Sequence, residues 1–325
     1  MSIIVFAENI DGNFKKATHE AVSYAAEIAK KNNDTCVAIS IGNVNDEKLA
    51  ELAKFGADKI VNLKNDKLNS FVAEAYSKVI SLIAQSENAS VIVVSNTYTG
   101  KAIAPRIAAK LKAGIVSGVI SFPETTSGFK VRKTVFSGKA FADVEVKTVV
   151  KVLAITPNTF ALNENDKAVS VTQNDGGLSD ADFITTPIEV TRATGKIVLT
   201  EADVVISGGR GLKGPENWHL IENLADTLGA ATACSKPVSD MGWRPHSEHV
   251  GQTGITIKAN LYFAIGISGA IQHLAGVSSS KVMVVINKDP EAPFFKAADY
   301  GIVGDAFEVM PKIIEAAKKL KAQHA

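Results

Sequence analysis

The feature of this sequence that most constrains its fold is the alternation of short apolar runs with longer amphipathic segments. The run SIIVFAE at the amino terminus is followed by NFKKATHEAVSYAAEIAKKNN, which has the spacing of a helix with one apolar face. The alternation continues through TCVAISIG, KIVNLK and SVIVVSN, with a helical pattern after each of these runs. Strands that are apolar on both faces lie in parallel sheets, because crossover helices cover both sides. The first half therefore predicts a parallel α/β domain.

Beyond residue 114 the apolar runs come closer together and alternate more strictly with polar residues. These runs are IVSGVISF, FKVRKTVFSGKAFADVEV and KVLAIT. Such alternation is typical of antiparallel strands, which bury one face and expose the other. We therefore predict that the three runs form an antiparallel extension of the first sheet.

A polar stretch over residues 157–200 separates the first half from a second alternation of strands and helices. This stretch lacks helical periodicity, and we interpret it as a linker that includes an exposed strand. A chain of 325 residues is also longer than one hydrophobic core usually serves. The prediction is an α/β fold with two domains, residues 1–190 and residues 191–325.

The composition argues against several classes of protein. Lys plus Arg number 35 against 34 Asp plus Glu, without a basic stripe, so nucleic acid is not an expected partner. Cys36 and Cys234 lie far apart, which fits a reducing compartment better than a disulfide framework. The sequence shows neither a run long enough to cross a bilayer nor a signal-peptide pattern. We expect a cytoplasmic bacterial protein that is not integral to the membrane, although a mature mitochondrial matrix chain has the same features.

The segment SGGRGLKG, residues 207–214, contains G-x-G-x-x-G between a predicted strand and a predicted helix. Glycines allow the backbone to approach a phosphate closely, and a helix amino terminus favours negative charge. Arg210 adds a forked cation that suits phosphate. The next strand, however, ends at Ser235 and Lys236, where an NAD site usually carries an acidic residue for the ribose hydroxyls. The segment therefore predicts a nucleotide site that is not an ordinary NAD site.

Polar residues and glycines recur wherever a strand of the second half is expected to end. In the segment VGQTG, residues 250–254, two glycines bracket an amide and a hydroxyl, and Ser268-Gly269 leads into a helix containing His273. Asn287 and Asp305 follow two further strands. The carboxyl ends of parallel strands form the ligand crevice of an open α/β sheet, so we expect these residues to converge on one edge.

Two other kinds of site fit the sequence poorly. His246 and His249 have an H-x-x-H spacing, but neither a cysteine nor a third histidine of a metal site lies nearby in the sequence. A hydrolase with a nucleophile elbow would need G-x-S-x-G, which the chain lacks.

Taken together, SGGRGLKG, VGQTG, GISGAIQHLAG and INKDPEAPFFKAADYGIVGD resemble the alpha subunit of electron transfer flavoproteins over nearly the whole second half. The first half resembles that family in architecture and in its FAEN opening. The resemblance implies a nucleotide-hydrolase-like amino-terminal domain that contacts a partner subunit and a doubly wound carboxyl-terminal domain that binds FAD.

The resemblance also implies a function as one subunit of an αβ heterodimer. Such a heterodimer takes electrons from flavin dehydrogenases, such as the acyl-CoA dehydrogenases of fatty acid β-oxidation, and passes them to a membrane quinone oxidoreductase. It is an electron carrier without a bond-making substrate of its own, rather than an enzyme in the usual sense.

By this resemblance Arg210 and Ser235 contact the diphosphate of FAD, and Asn287 and Asp305 hold its adenosine end. The full set of cofactor-binding residues that the resemblance implies is Arg210, Ser235, Lys236, Val250, Gly251, Gln252, Thr253, Ser268, Gly269, Ala270, Ile271, Gln272, His273, Asn287, Asp305 and Ala306.

The flavin end of the cofactor involves four of these residues. The resemblance places the Thr253 hydroxyl near the flavin N5 atom, Gln252 beside the ribityl–flavin junction and His273 at the N1/O2 edge. Lys236 stands where well-studied family members carry an arginine against the flavin. A lysine keeps the charge but lacks the planar fork, so this position departs from the family pattern.

Three alternatives stay open at the level of the sequence. An NAD(P)-dependent oxidoreductase would use the G-x-G-x-x-G segment directly, although the acidic partner and an acid–base pair are missing. A subunit of an electron-bifurcating flavoprotein would need a second FAD in its partner. A non-redox nucleotide-binding regulator of the universal-stress type would account for the first domain alone.

Overall fold

The computed structural model describes residues 1–136, 138–165, 167, 169–190 and 197–323. The chain forms two compact units, one of Met1–Val135 with Ala140–Arg192 and the other of Phe136–Lys139 with Ala193–Ala325. The predicted boundary between residues 190 and 191 borders residues 191–196, which lie outside the described residues, so its position stays a prediction.

The first unit is built on a nine-stranded sheet. The strands of this unit, including a small separate hairpin of β2 and β3, are β1 (Ser2–Phe6), β2 (Asn9–Ile10), β3 (Asn13–Phe14), β4 (Thr35–Ile41), β5 (Lys59–Leu63), β6 (Ala89–Ser95), β7 (Gly114–Val119), β8 (Lys130–Val135), β9 (Ala140–Glu145), β10 (Lys151–Ile155) and β11 (Ser170–Asn174). Their order across the sheet is β11-β5-β4-β1-β6-β10-β7-β8-β9.

Helices cover both faces of this sheet, as the apolar strands predicted. They are α1 (Lys16–Asn32), α2 (Asp46–Lys54), α3 (Ala73–Ser86) and α4 (Tyr98–Leu111), with 3₁₀ turns at Asp66–Leu68 and Asp180–Asp182. Successive residues of β1 enter opposite cores, since Ile3 packs into one cluster and Ile4 into the other. This pattern confirms a parallel-dominated sheet that is buried on both faces.

The antiparallel extension is smaller than predicted. Strand β8 joins the sheet beside β7 and runs antiparallel to it, and β9 pairs antiparallel with β8. Strands β7 and β10 are parallel to each other, and β10 lies between β6 and β7. The prediction was wrong for β10, which is parallel to both of its neighbours, and correct for β7 only where it pairs with β8. Alternation reports an exposed face and carries no information on the direction of the neighbouring strand. The predicted exposed strand is β11, which pairs with β5 at the sheet edge.

The second unit contains a five-stranded, fully parallel sheet. Its strands are β12 (Val204–Gly208), β13 (Ala231–Cys234), β14 (Leu261–Ile265), β15 (Val282–Asn287) and β16 (Tyr300–Val303), and their spatial order is β13-β12-β14-β15-β16. Its helices are α5 (His219–Leu228), α6 (Lys236–Asp240), α7 (Ile271–Val277) and α8 (Ala306–Gln323).

Two apolar clusters lie on opposite faces of this second sheet, which makes it doubly wound. Helices α5 and α8 contribute to one cluster, and α7 contributes to the other. The strand order reverses between β12 and β14, and ligands of open α/β sheets bind outside the carboxyl ends of the strands at such a point. In the part of the chain that the structure describes, no helix combines the length and apolar character needed to span a bilayer.

Candidate cofactor site at the carboxyl edge of the second sheet

The glycine-rich turn after β12 is pressed against the end of β14. The Gly209 N–H donates to the Ile265 carbonyl at 2.8 Å, and the Gly211 N–H donates to the Gly266 carbonyl at 3.1 Å. A Cβ on Gly209 would collide with the Gly266 carbonyl, and one on Gly211 would lie 2.6 Å from the Gly266 Cα atom. Glycine is therefore required at both positions, and the turn offers bare backbone at the point where the strand order reverses.

The helix after this turn begins later than the fingerprint predicted. Two 3₁₀ turns, Arg210–Leu212 and Pro215–Trp218, come between the glycines and α5. The positive end of α5 is consequently not directly behind Gly209, and the backbone donors close to the turn are those of the first 3₁₀ segment. The Arg210 side chain is exposed and forms no ion pair with any residue that the structure describes. It is a free cation beside the turn.

Ser235 and Lys236 follow β13 at the start of α6. Ser235 is the N-cap residue of this short helix, yet its side chain makes no capping hydrogen bond and is 7% exposed. Lys236 is exposed, with its Nζ atom 3.4 Å from Asp240 Oδ1 one helical turn away. The strand end therefore offers a hydroxyl and a cation, which is not the acidic pattern of an NAD site.

The segment Val250–Gly254, which we call the VGQTG loop, is fixed on both sides by its backbone. The Val250 N–H donates to the Cys234 carbonyl at 3.0 Å, and the Gln252 N–H donates to the Gln272 carbonyl at 2.7 Å. A Cβ on Gly276 would lie 2.5 Å from the Gly251 Cα atom, so the loop and α7 are in close backbone contact. The Gln252 and Thr253 side chains are exposed on this fixed loop.

The start of α7 leaves its backbone donors without a side-chain partner. Its N-cap residue is Ala270, which has no side-chain oxygen to accept them. Gly269 has a φ of 88°, and a Cβ there would lie 2.5 Å from the Phe294 nitrogen, so this turn also requires glycine. Ser268 and Gln272 are exposed beside it.

His273 lies in the first turn of α7 and points into the unit rather than to the surface. Its side chain is 6% exposed, and its Nε2 atom is 2.7 Å from the Tyr262 hydroxyl. Burial lowers the pKa of His273 to about 4, with the backbone of Val250 acting in the opposite direction. The imidazole is therefore neutral near pH 7. Its Nδ1 atom is buried and has no hydrogen bond to a described residue.

The polar groups of Asn287 and Asp305 already have partners within the protein. Asn287 donates from Nδ2 to the Ile267 carbonyl at 3.0 Å and accepts from the Asp289 N–H at 3.0 Å. Asp305 accepts from the Phe307 N–H at 2.9 Å and lies 3.9 Å from Lys213 Nζ. These bonds hold the turns after β15 and β16, so a contact with a ligand would use the remaining acceptor capacity of each side chain.

The residues that follow β12 to β16 lie at the carboxyl edge of one parallel sheet, as predicted, because these strands run in the same direction. Buried members of the predicted set are Ser235, Val250, Gly251, Gly269, His273 and Ala306, and exposed ones are Arg210, Lys236, Gln252, Thr253, Ser268, Ala270, Ile271 and Gln272. Their contact with a cofactor stays a prediction.

Sequence reasoning missed Tyr262 and Gly266. The signal for Tyr262 is present in LYFAIGI, because a tyrosine within a buried strand needs a partner for its hydroxyl. The signal for Gly266 is its place directly after that strand, opposite the first glycine turn.

Comparison with known proteins adds an independent line of information. The model of the electron transfer flavoprotein domain matches residues 3–175, and that of the electron transfer flavoprotein FAD-binding domain matches residues 198–278. The electron transfer flavoprotein subunit alpha of Bacillus subtilis is 37% identical over 319 residues, which cover 98% of both chains. The chain belongs to the electron transfer flavoprotein alpha-subunit family.

Other members of the family have more specific names. The chain is 34% identical to protein FixB of Clostridium saccharobutylicum, with 97% of this chain and 96% of the relative covered. It is 31% identical to the acryloyl-CoA reductase electron transfer subunit beta of Anaerotignum propionicum, with 98% and 96% covered. The names of the Bacillus subtilis and Anaerotignum propionicum relatives both refer to electron transfer. The glycine-rich turn, the VGQTG loop and α7 all fall in the part matched by the FAD-binding model.

Proposed function

We propose that the second unit holds FAD and that the chain, paired with an electron transfer flavoprotein beta subunit, acts as a mobile electron carrier. Its donors are flavin dehydrogenases such as acyl-CoA dehydrogenases, and its acceptor is a membrane quinone oxidoreductase. The observation that carries the proposal is the turn at Gly209 and Gly211, which lies at the strand-order reversal and has no room for a side chain facing β14. Membership of the family supports the electron-transfer part.

The residues near this turn fit the diphosphate of FAD. Arg210 supplies a forked cation without an ion pair of its own beside the turn, and the glycines let that turn lie against the end of β14 at the strand-order reversal. Ser235 follows the neighbouring strand β13, and its hydroxyl makes no capping hydrogen bond to α6. Asn287 and Asp305 are assigned to the adenosine end.

The VGQTG loop and α7 fit the flavin end. When bound, FAD supplies reversible electron acceptance in one-electron or two-electron steps. On the protein side, we assign the Thr253 hydroxyl to the flavin N5 region and Gln252 to the ribityl junction. We assign His273 to the N1/O2 edge, where a neutral imidazole can offer one N–H donor. The fixed loop backbone holds these groups in place before the cofactor binds.

Coexpression with the beta subunit tests this proposal directly. The purified heterodimer should be yellow and contain FAD bound to this chain, and reduction should proceed in two resolved one-electron steps. A heterodimer without flavin, or one reduced only in a single two-electron step, would contradict the role as a one-electron carrier.

The variant Thr253→Ala tests the assignment at the flavin. Losing one hydrogen bond of about 1 kcal/mol should shift a one-electron midpoint potential by about 40 mV while FAD stays bound. The matched control is Thr227→Ala, because Thr227 is a half-buried threonine on α5, in the same unit, whose hydroxyl donates to the Asn223 carbonyl. If both variants keep the wild-type potentials, Thr253 does not face the redox centre.

Two measurements distinguish the proposed carrier from two alternative functions. An NAD(P)-dependent oxidoreductase would bind nicotinamide nucleotides, which fluorescence titration of the heterodimer would detect. A subunit of an electron-bifurcating flavoprotein would copurify with a second FAD in its partner, so the ratio of FAD to heterodimer distinguishes it from the simple carrier.

A further inference from the structure

A buried phenol–imidazole pair lies beneath the proposed flavin site. Tyr262 on β14 is fully buried, and its hydroxyl oxygen is 2.7 Å from the His273 Nε2 atom on α7. The Phe294 ring lies against both partners, with centroid distances of 6.3 Å to Tyr262 and 6.0 Å to His273. The group bonded to this imidazole is thus a neutral phenol in an apolar setting, rather than the carboxylate that often orients a histidine.

A neutral imidazole has one N–H and one lone pair, so its partner decides which nitrogen carries the proton. Burial raises the pKa of Tyr262, which keeps its hydroxyl protonated and able to donate. A phenol O–H that donates to Nε2 leaves the imidazole proton on Nδ1, which is buried and has no hydrogen bond to a described residue.

We propose that Tyr262 is a positioning residue that donates to Nε2 of His273 and thereby keeps the imidazole proton on Nδ1. The proposal rests on the proposed function in one respect, the placement of His273 at the flavin edge. Tyr262 acts through His273 and is buried below it. A ring with a fixed proton and a fixed orientation presents the same donor to the cofactor in every molecule, which is the usual purpose of a second hydrogen bond to a functional histidine.

The opposite arrangement of hydrogen-bond donors and acceptors is also chemically possible, and the test must distinguish the two. The Ser207 hydroxyl on β12 is buried, has no hydrogen bond to a described residue, and partly offsets the rise that burial causes in the pKa of Tyr262. If the phenol donated to Ser207, it would accept from an Nε2–H, and Nδ1 would be the unprotonated atom. The two arrangements therefore differ in the tautomer of one histidine.

Nitrogen-15 NMR of the heterodimer with labelled histidines in this chain reads that tautomer directly. The chain contains six histidines, and the spectrum of His273→Gln identifies the signals of His273 by their loss. In the wild type at neutral pH we expect Nδ1 protonated and Nε2 unprotonated. A protonated Nε2 in the wild type overturns the proposal, and this measurement needs no substitution of Tyr262.

The variant Tyr262→Phe removes only the hydroxyl. We expect the His273 signals to change from a single Nδ1–H pattern to a mixture of the two tautomers. The matched control is Tyr24→Phe, because Tyr24 is equally buried in the first unit and its hydroxyl donates to the Ser121 carbonyl. That control should leave the His273 signals unchanged. Unchanged signals in Tyr262→Phe as well would overturn the proposal.

A double-mutant cycle on the flavin potential tests the link to the cofactor. Tyr262→Phe should make the midpoint potential more negative, whereas the same change in a His273→Gln background should add nothing. An equal shift in both backgrounds would show that Tyr262 acts independently of His273 and would overturn the proposal. If the heterodimer holds no FAD, the proposed function fails, while the histidine spectrum still decides the Tyr262–His273 part.

Discussion

Several helix starts at the carboxyl edges of the two sheets differ in their capping, although Asp305 caps α8 in the second unit. In the first unit the Asn45 side chain accepts from the Lys48 N–H at the start of α2, and Thr97 accepts from the Gly100 N–H at the start of α4. Thr97 also donates to Glu8 Oε2 at 2.6 Å. In the second unit the segments that begin at Gly209, Ser235 and Ala270 have no side-chain cap.

This difference shows how one architecture can serve two purposes. A capped helix start satisfies its N–H groups from within the chain, whereas an uncapped start leaves them for water or a ligand. A missing cap is not sufficient, since α1 and α3 in the first unit also begin without one. The second unit adds the glycine turn against Gly266 and the buried Nδ1 atom of His273. The combination supports the proposal that this edge binds the cofactor.

The largest expected effect comes from filling the glycine turn. In Gly209→Ala the methyl group would collide with the Gly266 carbonyl, and both backbones are held by hydrogen bonds. We expect a loss of about 3 kcal/mol or more in the free energy of unfolding and no bound FAD. Pulse proteolysis in urea measures the free energy of unfolding of this chain separately from that of its partner. The absorbance of FAD measures how much cofactor is bound.

The matched control for that variant is Gly304→Ala. Gly304 follows β16 at the same sheet edge, and a methyl group there would lie 3.0 Å from the end of the Val309 side chain, which can move. We expect this variant to retain FAD. If Gly209→Ala also retains FAD, the turn is a packing feature and the contrast between the two edges loses its main support.

The second prediction concerns acid stability of the second unit. The pKa of His273 falls from 6.5 to about 4 on folding because the ring is buried. Each pKa unit is worth about 1.4 kcal/mol, so this difference corresponds to about 3 kcal/mol. As the pH drops below 6.5, the unfolded chain takes a proton that the folded chain refuses, and stability is lost until about pH 4.

Comparing wild type with His273→Gln isolates this effect. The pKa of Glu20 in the first unit is raised by burial and acts in the opposite direction, since the folded state then binds a proton more readily as the pH falls. Both proteins share that contribution. We expect the wild type to lose about 3 kcal/mol more than the variant between pH 7 and pH 4, measured by urea unfolding. Equal losses would mean that the imidazole is solvated.

The sequence predicted the elements of both units better than their arrangement. Strand β1 and helix α1 can be predicted from periodicity alone, because each buries residues that the pattern displays. The position of β10 between β6 and β7 cannot be predicted in this way, because strand order depends on long-range pairing. Helix α6 escaped notice because Lys236–Asp240 is too short to show a period.

The candidate site shows the same division. The residues on turns were predictable because parallel strands bring their carboxyl ends together. The contact between Tyr262 and His273 was not, because it joins a strand to a helix packed on its face, and no spacing in the sequence encodes that register. The hydrogen bonds that the Asn287 and Asp305 side chains accept from backbone N–H groups were likewise not predictable, because the sequence does not give the positions of those backbone atoms.

The third prediction compares the loss of a helix cap in the first unit with the loss of a hydroxyl that caps no helix in the second unit. Thr97→Ala removes a helix cap in the first unit and should lower the free energy of unfolding by about 1–2 kcal/mol without changing FAD affinity. Ser235→Ala removes an unused hydroxyl and should change stability by less than about 0.5 kcal/mol. If that hydroxyl contacts the diphosphate, the Kd for FAD should rise about fivefold. Similar results for the two variants would remove the contrast between the edges.

The smallest effect is expected from Lys236→Arg, which introduces the arginine that the resemblance to the family implies at this position. Either side chain can reach Asp240, and an exposed pair of this kind contributes about 0.5 kcal/mol or less, so stability should hardly change. A planar guanidinium can stack on an aromatic ring and is worth about 0.5–1 kcal/mol there, which corresponds to a shift of about 20–40 mV in a one-electron potential.

The sign of that shift follows from charge. A cation held closer to the flavin stabilises the more negative reduced form, so the potential of Lys236→Arg should be more positive than that of the wild type. Lys281→Arg is the control, because Lys281 is an exposed lysine that precedes β15 at the opposite edge of the sheet. A shift in Lys236→Arg alone would place residue 236 against the flavin. Equal potentials in both variants would mean that Lys236 points to solvent and that the exposed side of α6 lies outside the cofactor site.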